Sequence, residues 1–241
     1  MPVPLVLVHS PLVGPAAWEP VAAVLAGQGH EVTVPDLTGT LTAGPPYCSR
    51  QAGVIARSAP AGPVMLIGHS GAGTLLAGAG SMLDRVQGYI FADAGLPIPG
   101  RSWLETMPAE LAAQVREMAD PEGWLPPWSD WWGDDELAGL LPDPGIRQRF
   151  AAGCPRLPLA MFGERHSPAD LAAPAGYLRL SEAYDGEAAR ARSLGWPVIE
   201  QASHHLGLLT DPGLVADSLL ELLRYLHDTA PSGRPGQERM Q

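Results

Sequence analysis

Short apolar runs recur along the chain and are bounded by turn-forming residues. Most of them are continuous rather than alternating, a pattern typical of strands that are buried on both faces of a parallel sheet. The runs that predict strands are Val3–Val8, Glu31–Pro35, Val64–Ile67, Tyr89–Ala92, Pro158–Phe162 and Pro197–Ile199.

Stretches with helical patterning separate these runs. The predicted helices are Trp18–Gln28, Arg50–Ser58, Thr74–Leu83, Leu178–Ser193 and a last helix from about Pro212 to His227. Because strand and helix signals alternate, the sequence predicts an α/β fold with a mainly parallel central sheet flanked by helices.

One segment interrupts this alternation. Residues 97–155 contain no convincing strand and hold five of the seven tryptophans. We expect a small helical cap here, inserted into a core formed by residues 1–96 and 156–228, and a disordered tail over residues 229–241. The cap tryptophans either hold the insertion together or line an apolar ligand pocket. They are Trp103, Trp124, Trp128, Trp131 and Trp132.

Charge and hydropathy exclude several classes of partner. The net charge is −11, and all 15 basic residues are Arg. Nucleic acids and anionic membranes are bound by clustered basic residues, so neither partner is expected.

No apolar run approaches the roughly 20 residues of a transmembrane helix. The N-terminus lacks the features of a signal peptide, so we expect a cytoplasmic location. The lack of Lys beside abundant Ala, Gly, Pro and Arg indicates a GC-rich bacterial genome.

Residues that could hold a metal or a cofactor are not grouped in the sequence. Cys48 and Cys154 are far apart and share no motif, and the histidines lack metal-ligand spacing. The glycines at positions 68–73 do not form a Gly-x-Gly-x-x-Gly fingerprint. We therefore expect no metal and no cofactor.

The segment Val64–Gly73 carries the strongest chemical signal. Its centre, Gly-His-Ser-Gly-Ala, departs from the pattern Gly-x-Ser-x-Gly only at Ala72. A serine on a sharp turn between strand and helix exposes its hydroxyl and needs small neighbours. The next backbone N–H, here that of Gly71, then lies at a helix N-terminus, where it can stabilise an oxyanion. The pattern predicts that Ser70 is a nucleophile.

A serine is a poor nucleophile without a base. The chain order Ser, acid, His predicts that the base follows the last strand. His204 and His205 both lie there, after the predicted strand Pro197–Ile199.

Two further motifs give the chain a family resemblance. They are His9-x4-Gly14-x3-Trp18 and Gly29-His30-x-Val32-x-Val34-Pro35-Asp36-Leu37. Together with Ser70 and the histidine pair, they resemble the α/β-hydrolase superfamily over residues 1 to about 228. The similar branch contains plant methyl esterases and hydroxynitrile lyases, which have a His-Gly or His-Thr step with the same Gly and Trp spacing. The resemblance implies an α/β-hydrolase fold with a small helical cap.

The resemblance also bears on which histidine is the base. In this superfamily the catalytic histidine commonly lies seven residues before a proline that opens the last helix. Counting back seven residues from Pro212 gives His205, and the step His205-Leu206 is also common. We therefore favour His205 over His204, which takes a position usually held by Gly.

The resemblance leaves two candidates for the acid that orients this histidine, of which we favour Asp93, and the absence of a functional acid is the third alternative. The usual place follows the predicted strand ending at Phe162, where the chain reads Gly163-Glu164-Arg165-His166. Glu164 is the carboxylate there, and His166 stands where an Asp is expected. The other place follows the preceding strand, as in haloalkane dehalogenases, and there Asp93 is the candidate.

The second donor of the oxyanion hole is a further departure. In the superfamily it is often the amide two residues after the loop histidine, but here that residue is Pro11, which has no N–H. The resemblance leaves the Leu12 amide or the Ser10 hydroxyl to replace it.

These residues predict a serine hydrolase that cleaves a small apolar ester, thioester or lactone through an acyl-Ser70 intermediate. The alternative is a non-hydrolytic lyase or cyclase of a biosynthetic pathway, in which Ser70 only orients the substrate. Pro11, His166 and the Trp-rich cap favour it. The pair of Ser70 and His205 disfavours a protein that merely binds a ligand. We expect a small apolar molecule as partner and a monomer or homodimer.

Overall fold

The computed structural model describes residues 2–166 and 170–229. Its strands are β1 (Leu5–Val8), β2 (Val32–Thr33), β3 (Val64–His69), β4 (Val86–Ala92), β5 (Trp124–Leu125), β6 (Leu157–Pro158), β7 (Ala175–Arg179) and β8 (Val198–Glu200). Its helices are α1 (Glu19–Gly27), α2 (Tyr47–Ser58), α3 (Leu76–Gly80), α4 (Trp103–Thr106), α5 (Ala109–Glu117), α6 (Asp134–Leu140), α7 (Pro144–Gly153), α8 (Leu159–Gly163), α9 (Asp185–Ser193), α10 (Gly207–Thr210) and α11 (Pro212–Thr229). Turns of 3-10 helix cover Pro15–Ala17, Thr38–Ala43, Ser70–Leu75, Trp128–Trp131 and Glu182–Tyr184.

The main sheet has six strands in the order β2-β1-β3-β4-β7-β8, and every neighbouring pair is parallel. All residues of β1 and β3 are buried, as continuous apolar runs predict for strands covered on both faces. The prediction of an α/β fold with a mainly parallel sheet is confirmed.

Alternate strand residues contact different helices. On one face, Leu66 and Phe91 pack with α2, α3 and α9. On the other face, Met65 and Ile90 pack with α1 and α11, including Leu219. Each helix layer covers one set of side chains, because successive strand residues point to opposite faces.

The predicted strand Pro158–Phe162 is wrong. Residues 157–158 form β6, which pairs antiparallel with β5 outside the main sheet, and residues 159–163 form the short helix α8. A short apolar run does not distinguish a strand from a buried helix by periodicity, and here the helical alternative is the one adopted.

The predicted helix Leu178–Ser193 also needs correction. Its first residues belong to β7, where Tyr177 and Leu178 are fully buried on opposite faces of the sheet, and α9 begins only at Asp185. Strand β7 lies between β4 and β8, so these residues complete the sheet rather than cover it.

The chain leaves the main sheet after β4 and re-enters it at Ala175. Helices α4–α7 lie within residues 97–155, the segment predicted as the cap, which also contains β5 against the expectation of no strand. Strand β6 and helix α8 follow residue 155 and also lie outside the main sheet. Of the predicted disordered tail, residue 229 ends α11 and residues 230–241 lie outside the described residues.

Parallel strands place their carboxyl ends at one edge of the sheet, where ligands of α/β folds bind. The candidate residues lie at this edge. Ser10 is the second residue after β1, Ser70 follows β3 directly, and Asp93 follows β4 directly. His205 lies in the loop after β8. Among the helices in the described ranges, none is long and apolar enough to cross a membrane.

Candidate active site

Ser70 occupies a sharp turn between β3 and a 3-10 turn that leads into α3. Its φ of 58° lies in the left-handed region, which costs a non-glycine residue about 1–3 kcal/mol and occurs mostly at functional sites. The neighbours are small because space is short. A Cβ on Gly68 would lie 3.0 Å from Leu76 Cδ2, and one on Gly73 would collide with the carbonyl oxygen of Gly95. The sequence pattern around Ser70 is therefore a requirement of the turn.

His205 lies between Ser70 and Asp93. Its Nε2 is 3.0 Å from Ser70 Oγ, and its Nδ1 is 2.7 Å from Asp93 Oδ2. The structure thus brings Ser70, His205 and Asp93 into one hydrogen-bonded chain, although 135 residues separate the serine from the histidine.

Asp93 is fully buried and also has a positive φ, of 45°. Its Oδ1 accepts hydrogen bonds from the amides of Leu180 and Ser181, at 2.8 and 2.9 Å, and its Oδ2 accepts one from the Ser181 hydroxyl at 2.6 Å. Burial by itself would raise the pKa of Asp93, but the hydrogen bonds and charge of His205, together with the bonds from Ser181, hold it below its usual value. Asp93 is therefore an ionised acceptor, and His205 Nδ1 is the donor.

Glu164 makes different contacts. Its two carboxylate oxygens accept hydrogen bonds from the amides of Tyr47 and Cys48, at 2.6 and 2.8 Å. These amides belong to the first turn of α2, so Glu164 satisfies and neutralises a helix N-terminus. The structure does not bring Glu164 to His205 through any hydrogen bond among the described residues.

His166, which stands near Glu164 in the sequence, is buried beside α2 and Trp103. Its Nδ1 lies 3.5 Å from Cys48 Sγ, and its ring centroid lies 5.7 Å from that of Trp103. Burial lowers the pKa of His166. The strand predicted to precede this segment is not in the main sheet. The strand whose end lies beside Asp93 is β7, and there the Ser181 hydroxyl donates to Asp93 Oδ2.

The neighbouring histidines have structural contacts. His204 Nδ1 accepts a hydrogen bond from the Leu206 amide, and its Nε2 lies 3.0 Å from Thr210 Oγ1, which holds the turn into α10. His69 Nε2 donates to the main-chain carbonyl of His205 at 2.9 Å. Burial lowers the pKa of His69 to about 3, so it is neutral and supports the loop of His205.

The loop after β1 lies against the turn of Ser70. Ser10 is 2% exposed, and a Cβ added to Gly71 would lie 3.0 Å from Ser10 Oγ. The Leu12 amide donates to Ser10 Oγ at 3.3 Å. Since that bond uses a lone pair of the hydroxyl oxygen, the Ser10 proton stays available as a donor beside Gly71.

Tyr184, like Ser181, is a site residue that the sequence did not predict. Its ring stacks on His205, with centroids 5.1 Å apart and an angle of 9°, and its hydroxyl lies 3.5 Å from Ser70 Oγ. The residue ends the 3-10 turn that follows β7. Only a correct assignment of β7 would have placed it at the edge that carries Ser70.

A cavity of about 600 Å³ opens over Ser70 and His205. Four of the five tryptophans predicted in the cap line it, whereas Trp124 lies in β5 and outside its walls. The polar side chains in its wall include those of Thr74, Thr106, His166 and Glu187. The apolar part of the wall is formed by residues such as Leu12, Ile98, Trp103, Met107, Leu111, Trp128, Trp131, Trp132 and Phe162.

No group of three or more His, Cys, Asp or Glu side chains in residues 2–166 and 170–229 is placed to hold a metal ion.

Comparison of the whole chain with known proteins identifies its fold. No protein-family model matches the sequence, and no curated protein matches it either. Solved structures do match. An extracellular α/β-hydrolase from a Paenibacillus species superposes with a TM-score of 0.75 at 20% identity, over 92% of this chain and 99% of that one. A pyrethroid hydrolase from Sphingobium faniae gives 0.67 at 20% identity, over 94% and 99% of the two chains.

Tomato methylketone synthase I matches with a TM-score of 0.70 at 17% identity, over 94% of this chain and 99% of that one. These superpositions cover nearly the full length of the matched structures. The chain therefore has the α/β-hydrolase fold that the sequence resemblance implies.

Proposed function

We propose that this protein is a serine hydrolase that cleaves a small apolar ester, thioester or lactone through an acyl-Ser70 intermediate. The observation that carries the proposal is the chain of two short contacts, 3.0 Å from Ser70 Oγ to His205 Nε2 and 2.7 Å from His205 Nδ1 to Asp93. A nucleophile, a base and an orienting acid at these distances are the geometry of serine hydrolases.

The steps follow from this geometry. Ser70 Oγ attacks the acyl carbon while its proton passes to His205 Nε2, and His205 then gives that proton to the leaving group. In the second half of the cycle water attacks the acyl carbon while its proton passes to His205 Nε2, and Oγ then leaves with that proton, which His205 donates to it. Ionised Asp93 stabilises the imidazolium in both halves.

An oxyanion hole is formed by Gly71 N–H and the Ser10 hydroxyl. Pro11 cannot donate, and one missing donor costs about 10²–10³-fold in rate. The Ser10 hydroxyl replaces the missing amide donor, because it is buried beside Gly71 and the Leu12 amide fixes its orientation.

The substrate class is supported by the cavity. Its wall is mainly apolar and aromatic, and its volume of about 600 Å³ fits a small molecule. The names of two similar structures, an extracellular α/β-hydrolase and a pyrethroid hydrolase, are in keeping with a hydrolase.

We also propose that the protein is bacterial and cytoplasmic, which cell fractionation would test, and that it is a monomer or homodimer, which light scattering would test.

Covalent labelling with a fluorophosphonate tests the proposal without knowledge of the substrate. We expect one phosphonyl group on Ser70, found by peptide mass spectrometry, and its loss in Ser70→Ala and His205→Ala. His204→Ala is the matched control, because His204 contacts Thr210 and Leu206 rather than Ser70. Wild-type protein that stays unlabelled at Ser70 would contradict a serine hydrolase.

A lyase or cyclase on the same site is the second candidate. It is favoured by Pro11, which removes a usual oxyanion donor, and by the methylketone synthase among the similar structures. In that case Ser70 orients the substrate, and His205 does the acid–base work. Turnover of the true substrate that survives Ser70→Ala but not His205→Ala would favour this candidate.

A further inference from the structure

The turn that follows β7 brings Tyr184 against both Ser70 and His205. The ring stacks nearly parallel on the imidazole, and the phenolic oxygen lies 3.5 Å from Ser70 Oγ. Tyr184 also lines the cavity, so it faces the space in which a substrate would be bound.

The hydrogen bonds around His205 decide whether the Ser70 or the Tyr184 hydroxyl is the donor of the contact between them. Asp93 is an ionised acceptor, so His205 Nδ1 carries the imidazole proton and Nε2 accepts. Ser70 donates its only proton to Nε2, and a lone pair of Oγ is left for Tyr184. Burial raises the pKa of Tyr184 to about 12, so the phenol keeps its proton near neutral pH. Tyr184 is therefore the donor.

We infer that Tyr184 is a further catalytic residue, whose hydroxyl donates a hydrogen bond to Ser70 Oγ while that oxygen forms or breaks its bond to the acyl carbon. The inference rests on the proposed function, because it requires Ser70 to be the nucleophile. In acylation the Oγ–carbon bond forms as the serine proton passes to His205. In deacylation water adds to the acyl carbon and gives a proton to His205, and the Oγ–carbon bond breaks as His205 passes that proton to Oγ.

Tyr184 keeps its own proton in both steps. Oγ carries partial negative charge while it exchanges its proton for the bond to carbon, and a donor aimed at developing charge lowers the barrier. The distance of 3.5 Å is long for a ground-state hydrogen bond. Catalytic hydrogen bonds are often long in the free enzyme and tighten in the transition state.

Phosphonylation of Ser70 by a fluorophosphonate measures this contribution. In that reaction the Oγ–phosphorus bond forms, the serine proton passes to His205, and fluoride leaves. The second-order rate constant is measured against pH for wild type, Tyr184→Phe, Tyr184→Leu and Tyr225→Phe. Tyr225 is exposed on α11, so the last variant removes the same atom outside the cavity.

We expect Tyr184→Phe to lower the plateau rate by about 10-fold, the loss of roughly one hydrogen bond. Because the phenyl ring still covers His205, the pH of half-maximal rate should stay at its wild-type value. Tyr184→Leu, which also removes the ring, should lower the plateau further and move that pH. Tyr225→Phe should react like wild type.

The outcomes separate the two hypotheses. If Tyr184→Phe reacts at the wild-type rate and only Tyr184→Leu is slow, the ring merely packs on His205 and the inference is wrong, while the proposed function stands. If wild-type Ser70 is not phosphonylated, both are wrong. Intact-mass measurement of the final labelled fraction ensures that each rate constant refers to folded protein.

Discussion

The carboxylates of Asp93 and Glu164 lie in two regions that use negative charge differently. At the end of β4, Asp93 is fully buried and accepts bonds from His205, Ser181 and the amide of Leu180. After α8, Glu164 accepts two amides from the first turn of α2. The first environment fixes an imidazole, and the second fixes a helix. Both positions are acidic in the sequence, so the contacts rather than the residue type distinguish them.

The largest difference between Asp93 and Glu164 is expected in the effect of their substitution on kcat/KM. Asp93→Asn should lower kcat/KM by about 10⁴-fold, because a neutral amide no longer selects the Nδ1–H tautomer of His205. Glu164→Gln should stay within about threefold of wild type, because a side chain that contacts α2 adds little to transition-state stabilisation. Fluorophosphonate labelling rates, or ester hydrolysis, measure both. If Glu164→Gln abolishes activity and Asp93→Asn does not, the assignment of the acid to Asp93 is wrong.

The edge of the sheet also explains what the sequence could and could not predict. The turn of Ser70 was predictable because its small residues, Gly68, Gly71 and Gly73, stand together in the sequence, although two of them meet distant neighbours in the fold. The apolar runs likewise predicted β1, β3 and β4. Strand β7 was not predictable in this way, because its short run, Ala175–Arg179, continues without a break into residues with a helical pattern.

The consequences of missing β7 reach the site. Ser181 and Tyr184 take their positions only because β7 pairs with β4. This pairing brings Ser181 to Asp93, which is 88 positions away in the sequence, and Tyr184 to Ser70, which is 114 positions away. Likewise, Glu164 was a candidate acid because Pro158–Phe162 was predicted as a strand of the sheet. Long-range pairing, which no local pattern encodes, decides both cases.

Removing Ser181's hydroxyl tests how far the support of Asp93 extends. Ser181→Ala deletes the bond to Asp93 Oδ2 but leaves the amide bonds to Oδ1. We expect kcat/KM to fall by about 10-fold, since a hydrogen bond to a charged group contributes about 1.5–3 kcal/mol and only part of it is lost in the transition state. Ser193→Ala, at an exposed position at the end of α9, is the control. An unchanged rate would mean that the amides alone orient Asp93.

At Glu164 we expect a substitution to lower the stability of the fold rather than the rate of catalysis. Glu164→Ala removes two charge-assisted bonds to the start of α2, so the free energy of unfolding should fall by about 2 kcal/mol, measured by urea denaturation. Glu221→Ala, on an exposed position of α11, should change it by less than about 0.5 kcal/mol. A loss no greater than that of the control would show that water replaces Glu164 at the helix end.

The smallest expected effect is the pH dependence of stability that Asp93 contributes. Its pKa is lower in the folded protein than the value of about 3.9 in an unfolded chain. The unfolded state therefore binds its proton first as the pH falls, and the stabilisation by ionised Asp93 is complete above about pH 3.9 and is lost as the pH falls through the folded pKa. Unfolding free energies of wild type and Asp93→Asn should converge as the pH falls below about 4. If the two plots of unfolding free energy against pH stay parallel over this range, the pKa of Asp93 is not lowered by folding. The conclusion that Asp93 is ionised and orients His205 as an acceptor would then be wrong.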